Sequence, residues 1–184
     1  MSDPITYEER LEGFDWSIAE RELGWKRGEP INIGWHCSDR ICELGRGAHP
    51  ALLWEGSGGE ERRYSYDDLR VLSNTIAAYL QRLGIRPGER VCLFLDRVPE
   101  LYIGFLGILK LGAVAQPLFS AFGDESLFTR LDNAQTTAIV TQRKHVAKVR
   151  KIRDSLPALK HIIVVDAGDG PPLQEREVPL APDR

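Results

Sequence analysis

The apolar positions change period along the chain. From Ser65 to Leu83 they recur at helical spacing: Leu69, Leu72, Ile76, Ala77, Leu80 and Leu83 form one stripe. Ser65 stands at the N-cap, Asp67 and Asp68 occupy the first turn where the helix dipole favours anions, and Gly84 follows the last apolar position. This predicts a long amphipathic helix. Ahead of it, ALLWEG (51–56) and RRYSY (62–66) are strand-like runs separated by Gly56-Ser57-Gly58-Gly59, which predicts a β-hairpin. Arg86-Pro87-Gly88-Glu89 reads as a turn.

Beyond that turn, short apolar runs alternate with helical segments. Val91–Leu95, Ala113–Leu118, Thr137–Thr141 and His161–Asp166 have strand length. Between them, Pro99–Leu111 reads as a helix with proline in its first turn and Gly112 after its end. Asp124–Asn133 reads as a helix capped by Asp124, and Lys144–Ser155 as a third. Strand–helix–strand repetition with short links means parallel strands joined by crossover helices. Runs as apolar as VCLFL and IIVV fit a sheet covered on both faces. The fold class predicted is α/β: a mostly parallel sheet with flanking helices, βαβαβαβ from about residue 91.

The two ends read differently. Residues 1–31 show no sustained period and carry Phe14, Trp16 and Trp25, an arm that docks through its aromatic side chains. Asn32 is a good N-cap, and Ile33, His36, Cys37, Ile41 and Leu44 follow at helical spacing up to Gly45. Residues 167–184 are proline-rich and aperiodic, a linker or tail. The division expected is 1–31 arm, 32–166 partial α/β domain, 167–184 tail.

Composition narrows the class. With 42% apolar and 28% charged residues, the chain is neither disordered nor a disulfide scaffold. Its formal charge of -3 offers no global attraction to nucleic acid or to an anionic membrane. Cys37, Cys42 and Cys92 read as reduced thiols, and the acidic start lacks the apolar stretch of a signal peptide. The longest apolar run, Ile103–Ala115, is interrupted by Lys110 and falls short of the roughly 20 residues of a membrane span. A cytoplasmic protein is expected.

Candidate chemistry is sparse. Gly56–Gly59 lies between strands, where no helix N-terminus meets a phosphate. Gly107 and Gly112 have P-loop spacing, but Ala113-Val114 stands where lysine and a hydroxyl are required, so close packing is the better reading of Gly104, Gly107 and Gly112. His36, Cys37 and Cys42 lack paired zinc-knuckle spacing and read as core residues of a helix face. The one sharper feature is basic. Arg143, Lys144, Lys148, Arg150, Lys151, Arg153 and Lys160 oppose Val146, Val149, Ile152 and Leu156. This is an amphipathic helix whose basic face is either simply solvated or a site for an anion such as a phosphorylated ligand.

Several landmarks occur together and in order. They are Tyr64-x-Tyr66, Leu72-Ser73-Asn74, Leu83-Gly84-x-x-Pro87-Gly88-x-Arg90-Val91, Pro99-Glu100-Leu101, Leu109-Lys110-Leu111-Gly112-Ala113-Val114 and Pro117-Leu118. This region resembles the N-terminal part of the AMP-forming acyl-CoA synthetases of the adenylate-forming superfamily. Pro117-Leu118-Phe119-Ser120-Ala121-Phe122, Arg130-Leu131 and Ile139-Val140-Thr141 resemble the acetyl-CoA synthetase branch. So do Phe14-Asp15-Trp16, Asn32-Ile33-Gly34-Trp35 and Asp39-Arg40 upstream.

The resemblance implies a reaction in which a carboxylate and ATP give an acyl-adenylate and pyrophosphate, and CoA thiolate then displaces AMP. The complete enzyme would use ATP, Mg²⁺ and CoA. Its triphosphate loop, S/T-G-T-T-G-x-P-K, occurs nowhere in this sequence, so no adenylation residue or metal ligand is assigned. The expectation is a portion that ends before the chemistry and is inactive alone. In the family the nucleotide end of CoA packs on the F-x-x-F stretch and on basic residues beyond the next strand. The matching positions are Phe119, Ser120, Ala121 and Arg150, with Lys144 and Lys148 nearby and Ala147 where the family can carry a further arginine. Alternatives are a CoA-binding or regulatory module, or half of a split ligase. The partners expected are the missing C-terminal portion or a complementary chain, with self-association through an unpaired sheet edge, and neither nucleic acid nor membrane.

Overall fold

The computed structural model describes residues 6–166 and 172–180, which fall into two units, residues 1–31 and residues 32–184. The first is not a featureless arm. It holds helices α1 (Tyr7–Glu12) and α2 (Trp16–Leu23). Thr6 and Glu9 form a reciprocal capping box on α1, Asp15 accepts from the Ser17 amide to cap α2, and Gly24 closes α2 in the left-handed region. Neither helix buries a side chain.

In the second unit, the helix expected over 32–45 is broken. It becomes α3 (Ile33–His36), α4 (Asp39–Ile41) and a wide turn at Cys42–Arg46, with Gly45 at φ 75°. The reason is tertiary. A Cβ on Gly34 would lie 2.7 Å from the Leu106 carbonyl oxygen, so this segment sits directly against a later helix. Asn32 Nδ2 donates to the Lys110 carbonyl at 3.0 Å, and Lys110 forms an ion pair with Asp39 whose side chains are only 7% and 15% exposed. Cys37 is exposed, as are Ile33 and Leu44, so the helix-face core expected there does not exist.

The hairpin forms as expected from β1 (Pro50–Glu55) and β2 (Glu61–Ser65), antiparallel, with Gly59 at φ 85° in its turn. Helix α5 (Tyr66–Arg82) follows, capped by Ser65 and Asp68. Then come β3 (Arg90–Phe94), α6 (Pro99–Lys110), β4 (Val114–Pro117), α7 (Asp124–Asn133), β5 (Ala138–Thr141), α8 (Arg143–Ile152), β6 (His161–Val164) and β7 (Glu177–Pro179). Gly123, not Asp124, is the N-cap of α7, and Asp124 is its first residue.

The sheet order is β4-β3-β5-β6-β7 and every neighbouring pair is parallel. The α/β class with a parallel sheet between helices is therefore the observed fold. Alternation along β3 fills two cores. Val91 and Leu93 join Leu69, Ile76, Ile103 and Ile108 on the α5–α6 side. Cys92 and Phe94 join Leu127, Leu131, Val146 and Val149 on the α7–α8 side. Gly104 and Gly107 permit this packing: a Cβ on Gly107 would lie 2.6 Å from Ile76 Cγ2. Gly112 does a different job, sitting at φ 78° where the chain turns into β4.

The tail expected over 167–184 contributes the fifth strand. Ile162 N–H donates to Arg176 O at 2.7 Å, Leu180 N–H to Val164 O at 2.9 Å, and the Tyr79 hydroxyl to Pro179 O at 2.7 Å. Residues 167–171 and 181–184 of that expected linker lie outside the described residues.

Candidate functional site

From β3 the chain crosses to β4 on one side and then returns past it to β5 on the other. Such a reversal of strand order opens a crevice at the carboxyl ends of the strands, where open α/β sheets bind ligands. Here the crevice lies between β3 and β5. The loop after β5 meets the loop after β3 there through Gln142 and His145; next to it, between the loops after β3 and β4, a cleft of about 400 Å³ runs along Asp96, Leu118, Phe119 and Ser120.

Asp96 organises this end. Its amide donates to Gln142 Oε1 at 2.9 Å, one carboxylate oxygen lies 2.8 Å from His145 Nε2, and the other pairs with Lys144. The Lys144 ammonium, then the Ser120 hydroxyl and the His145 ring, outweigh burial and hold the Asp96 carboxyl far below its ordinary value. Lys148 Nζ donates to the carbonyls of Ser120 and Phe122, each at 3.1 Å, which ties the β4–α7 loop to α8. Phe119 and Phe122 meet edge to face at 5.9 Å, and Phe119 as a residue remains 65% exposed.

The structure thus gathers Phe119, Ser120, Lys144 and Lys148 around Asp96, with Ala121 exposed in the same loop. It does not bring Arg150 to them. One residue in a helix advances about 100° around the axis. Lys144, Lys148 and Lys151 therefore share one face, reaching Asp96 after β3, the β4–α7 loop and, at 2.9 Å, Asp124 at the start of α7, while Arg150 looks toward β7. There its Nε and Nη2 donate to Glu177 Oε1 and Oε2 at 2.7 and 2.9 Å. A pocket of about 200 Å³ opens beside Arg150, lined also by Arg143, Val146, Ala147 and Leu173. Glu177 is wholly buried at its side chain, accepts a further hydrogen bond from the Gln174 amide, and is held below its ordinary value chiefly by Arg150.

The single basic face read from the sequence is therefore resolved into two faces, and most of its charge is engaged within the chain. Arg153 bonds the Glu175 carbonyl, and Lys160 approaches Glu89 at 3.9 Å. Val146, Val149 and Ile152 are buried as expected. Asp96 and Glu177 escaped the sequence reading, and His145, which reads as an isolated histidine in the sequence, pairs with Asp96. Asp96 left a trace, since a lone acid directly after an apolar strand sits where a βα loop faces the crevice. Among the described residues, no three His, Cys, Asp or Glu side chains gather to hold a metal.

Comparison with known proteins agrees with this architecture. The family model described as "AMP-binding enzyme" matches residues 43–183, and the chain belongs to that family. Acetyl-coenzyme A synthetase of Bacillus subtilis (strain 168) is 34% identical over 160 residues, covering 86% of this chain and 27% of that protein. Acetyl-coenzyme A synthetase of Rubrobacter xylanophilus is 33% identical, covering 77% and 25%. The crystal structure of Brucella canis acyl-CoA synthetase superposes with a TM-score of 0.82 at 25% identity, over 94% of this chain and 31% of that one. An anthranilate CoA ligase solved with anthranoyl-AMP shares the fold with a TM-score of 0.66, over 74% and 26%. The chain spans about a quarter of the length of the curated relatives it matches.

Proposed function

We propose that the chain is the amino-terminal portion of an AMP-forming ligase that joins a short carboxylate such as acetate to CoA, and that its own contribution is a seat for the nucleotide end of CoA. The observation that carries this reading is the double hydrogen bond from Lys148 to the Ser120 and Phe122 carbonyls. It holds an exposed aromatic ring, Phe119, beside a cationic helix. An adenine ring stacks on such a platform for about 1–3 kcal/mol, and arginine meets phosphate through a planar fork of N–H groups.

Phe119, Ser120 and Ala121 would line the base, with Lys144 and Lys148 shaping the loop, and Arg150, on the other face of α8 beside Glu177, would meet a phosphate that reaches across that helix. CoA supplies the thiol nucleophile when bound. ATP and Mg²⁺ belong to the activity of the complete ligase. The residues of this chain do not fit them, since no triphosphate loop occurs in the sequence, and no adenylation step is assigned here. The partner proposed is the remaining portion of the ligase, on the same polypeptide or on a complementary chain. The three free cysteines suit the reducing conditions of the cytoplasm. Among the described residues, no helix is long and apolar enough to cross a membrane.

Two assays test this. Calorimetric titration with CoA is expected to give saturable heat that weakens on Phe119→Ala, and no heat at millimolar CoA overturns the coenzyme seat. ATP–pyrophosphate exchange with acetate is expected to be absent for the chain alone; turnover there would refute the view that the adenylation chemistry lies elsewhere.

A further inference from the structure

We infer that Glu177 is a positioning residue for Arg150. It holds the guanidinium so that its outer edge is presented to a phosphate in the pocket beside α8. This rests on the coenzyme reading above and adds to it the residue that makes the arginine selective.

The geometry is specific. Glu177 takes two of the guanidinium's N–H groups, those on Nε and Nη2, at 2.7 and 2.9 Å. Nη1 is left out of the pair, and the Arg150 side chain is still 34% exposed. The Glu177 carboxylate is itself fixed, fully buried and bonded by the Gln174 amide at 2.9 Å. It is anchored on the fifth strand through the parallel register of Glu177 with Ile162. An unanchored arginine on a helix surface explores many rotamers and must be frozen when it grips an anion. Here the buried carboxylate has already removed that freedom. The pocket lining of Val146, Ala147 and Leu173 offers apolar contact, so the charge and direction come from the arginines, Arg143 and Arg150.

A lysine at the same place could keep the charge but could not match two carboxylate oxygens with a planar edge. A carboxylate close to a bound phosphate repels it, so Glu177 also has an electrostatic cost. The two roles predict opposite signs. If Glu177 only repels, removing its charge tightens binding of the anion. If it positions, removing it loosens binding, and only for ligands that carry the phosphate.

The test is calorimetry on the 184-residue chain with CoA and with 3′-dephospho-CoA, read as the ratio of the two affinities. A charge-assisted arginine–phosphate contact is worth about 1.5–3 kcal/mol, so wild type is expected to prefer CoA by roughly tenfold or more. Arg150→Ala is expected to bring the ratio close to one. Glu177→Gln, which keeps the shape and one acceptor, is expected to reduce it to about threefold or less. A merely structural role would lower both affinities alike and leave the ratio intact.

An unchanged or increased ratio in Glu177→Gln, with Arg150→Ala still abolishing it, overturns the positioning role and leaves the coenzyme reading standing. A ratio of one in the wild type overturns the coenzyme reading and the positioning role together. Should circular dichroism show that Glu177→Gln does not fold, Arg150→Lys decides from the other side of the pair. Loss of the preference supports positioning, and retention of it by charge alone refutes it.

Discussion

Lys110 offers a sharp test of how the segment before the hairpin is held to the sheet domain. Its ammonium pairs with Asp39 and donates to Asn74 Oδ1 at 2.9 Å and to the Arg70 carbonyl at 3.4 Å, with 7% of the side chain exposed. Lys110→Met keeps the apolar stem and removes the charge. Asp39, 15% exposed, then keeps, among the described residues, Ser38 Oγ at 2.9 Å and a long contact from Asn74 at 3.4 Å. Breaking a buried pair from one side costs about 3–5 kcal/mol. Residual access of water to Asp39 lowers the expectation to about 2–4 kcal/mol. With a urea m-value of about 2 kcal/mol/M, the unfolding midpoint should fall by roughly 1–2 M.

The pair also has a signature in pH. Burial raises the Asp39 carboxyl, but hydrogen bonds from Lys110, Ser38 and Asn74 together outweigh it, so its folded value lies below the ordinary one. In the wild type this stability is present above about pH 4 and is lost as pH falls through the folded value. In Lys110→Met burial dominates, the folded value rises, and the deficit relative to wild type should shrink on acidification. Replacing both partners, Lys110→Met with Asp39→Leu, should recover much of the loss. The reasoning fails if the single variant moves the midpoint by less than about 0.3 M, or if the double variant loses the sum of the two singles.

Three further outcomes are expected. Gly107→Ala places a methyl 2.6 Å from Ile76 Cγ2 and 2.9 Å from the Ser73 carbonyl oxygen, so it should cost about 1–3 kcal/mol in urea unfolding. Burial pushes the Cys92 thiol up, whereas Cys37 is exposed; a thiol reagent should label Cys37 in the native chain and reach Cys92 only on denaturation. Burial, with the Lys160 ammonium beside it, holds His161 below its ordinary value. That contribution is present above about pH 6.5 and lost as pH falls through the folded value, so His161→Gln should flatten the pH dependence of stability over that interval.

The sheet was legible because each of its first four strands is an apolar run of the right length bounded by turn residues. The fifth was not. Glu177–Pro179 is short, carries an inward acid and sits among prolines. It becomes a strand only because β6 offers an unpaired edge and Arg150 receives the carboxylate. At the other end, Thr6-x-x-Glu9 is a capping signature visible in the sequence, but α1 and α2 are too short for apolar periodicity to reveal them. The break at 37–38 was hidden because spacing alone cannot report that Gly34 must abut the Leu106 carbonyl.

Of the candidate site, the aromatic loop and Lys148 were found together because they lie close on either side of one strand. The acids that engage the basic helix were missed. Asp96 lies more than 40 positions before its partner His145, and Glu177 lies 27 positions after Arg150. No local pattern joins groups that only the crossovers bring into contact.

The central strand has a consequence for how the chain is made. Val91, Cys92, Leu93 and Phe94 end up with no solvent exposure, yet both strands that flank them come later in the sequence. Thr141, whose hydroxyl closes on the Phe94 carbonyl at 3.0 Å, follows it by 47 positions. At a translation rate of about 5–20 residues per second, this run stays without its second neighbour for roughly 2–10 s. A short apolar β-former exposed for that time is an aggregation hazard, and charges at its ends are the natural guard. Arg90 stands at one end, and Asp96 and Arg97 at the other. In the finished fold Arg90 closes the α7 terminus through the Ala134 and Gln135 carbonyls at 2.6 and 2.7 Å. The same guanidinium thus flanks the apolar strand in sequence and fastens the neighbouring α7 terminus in the fold.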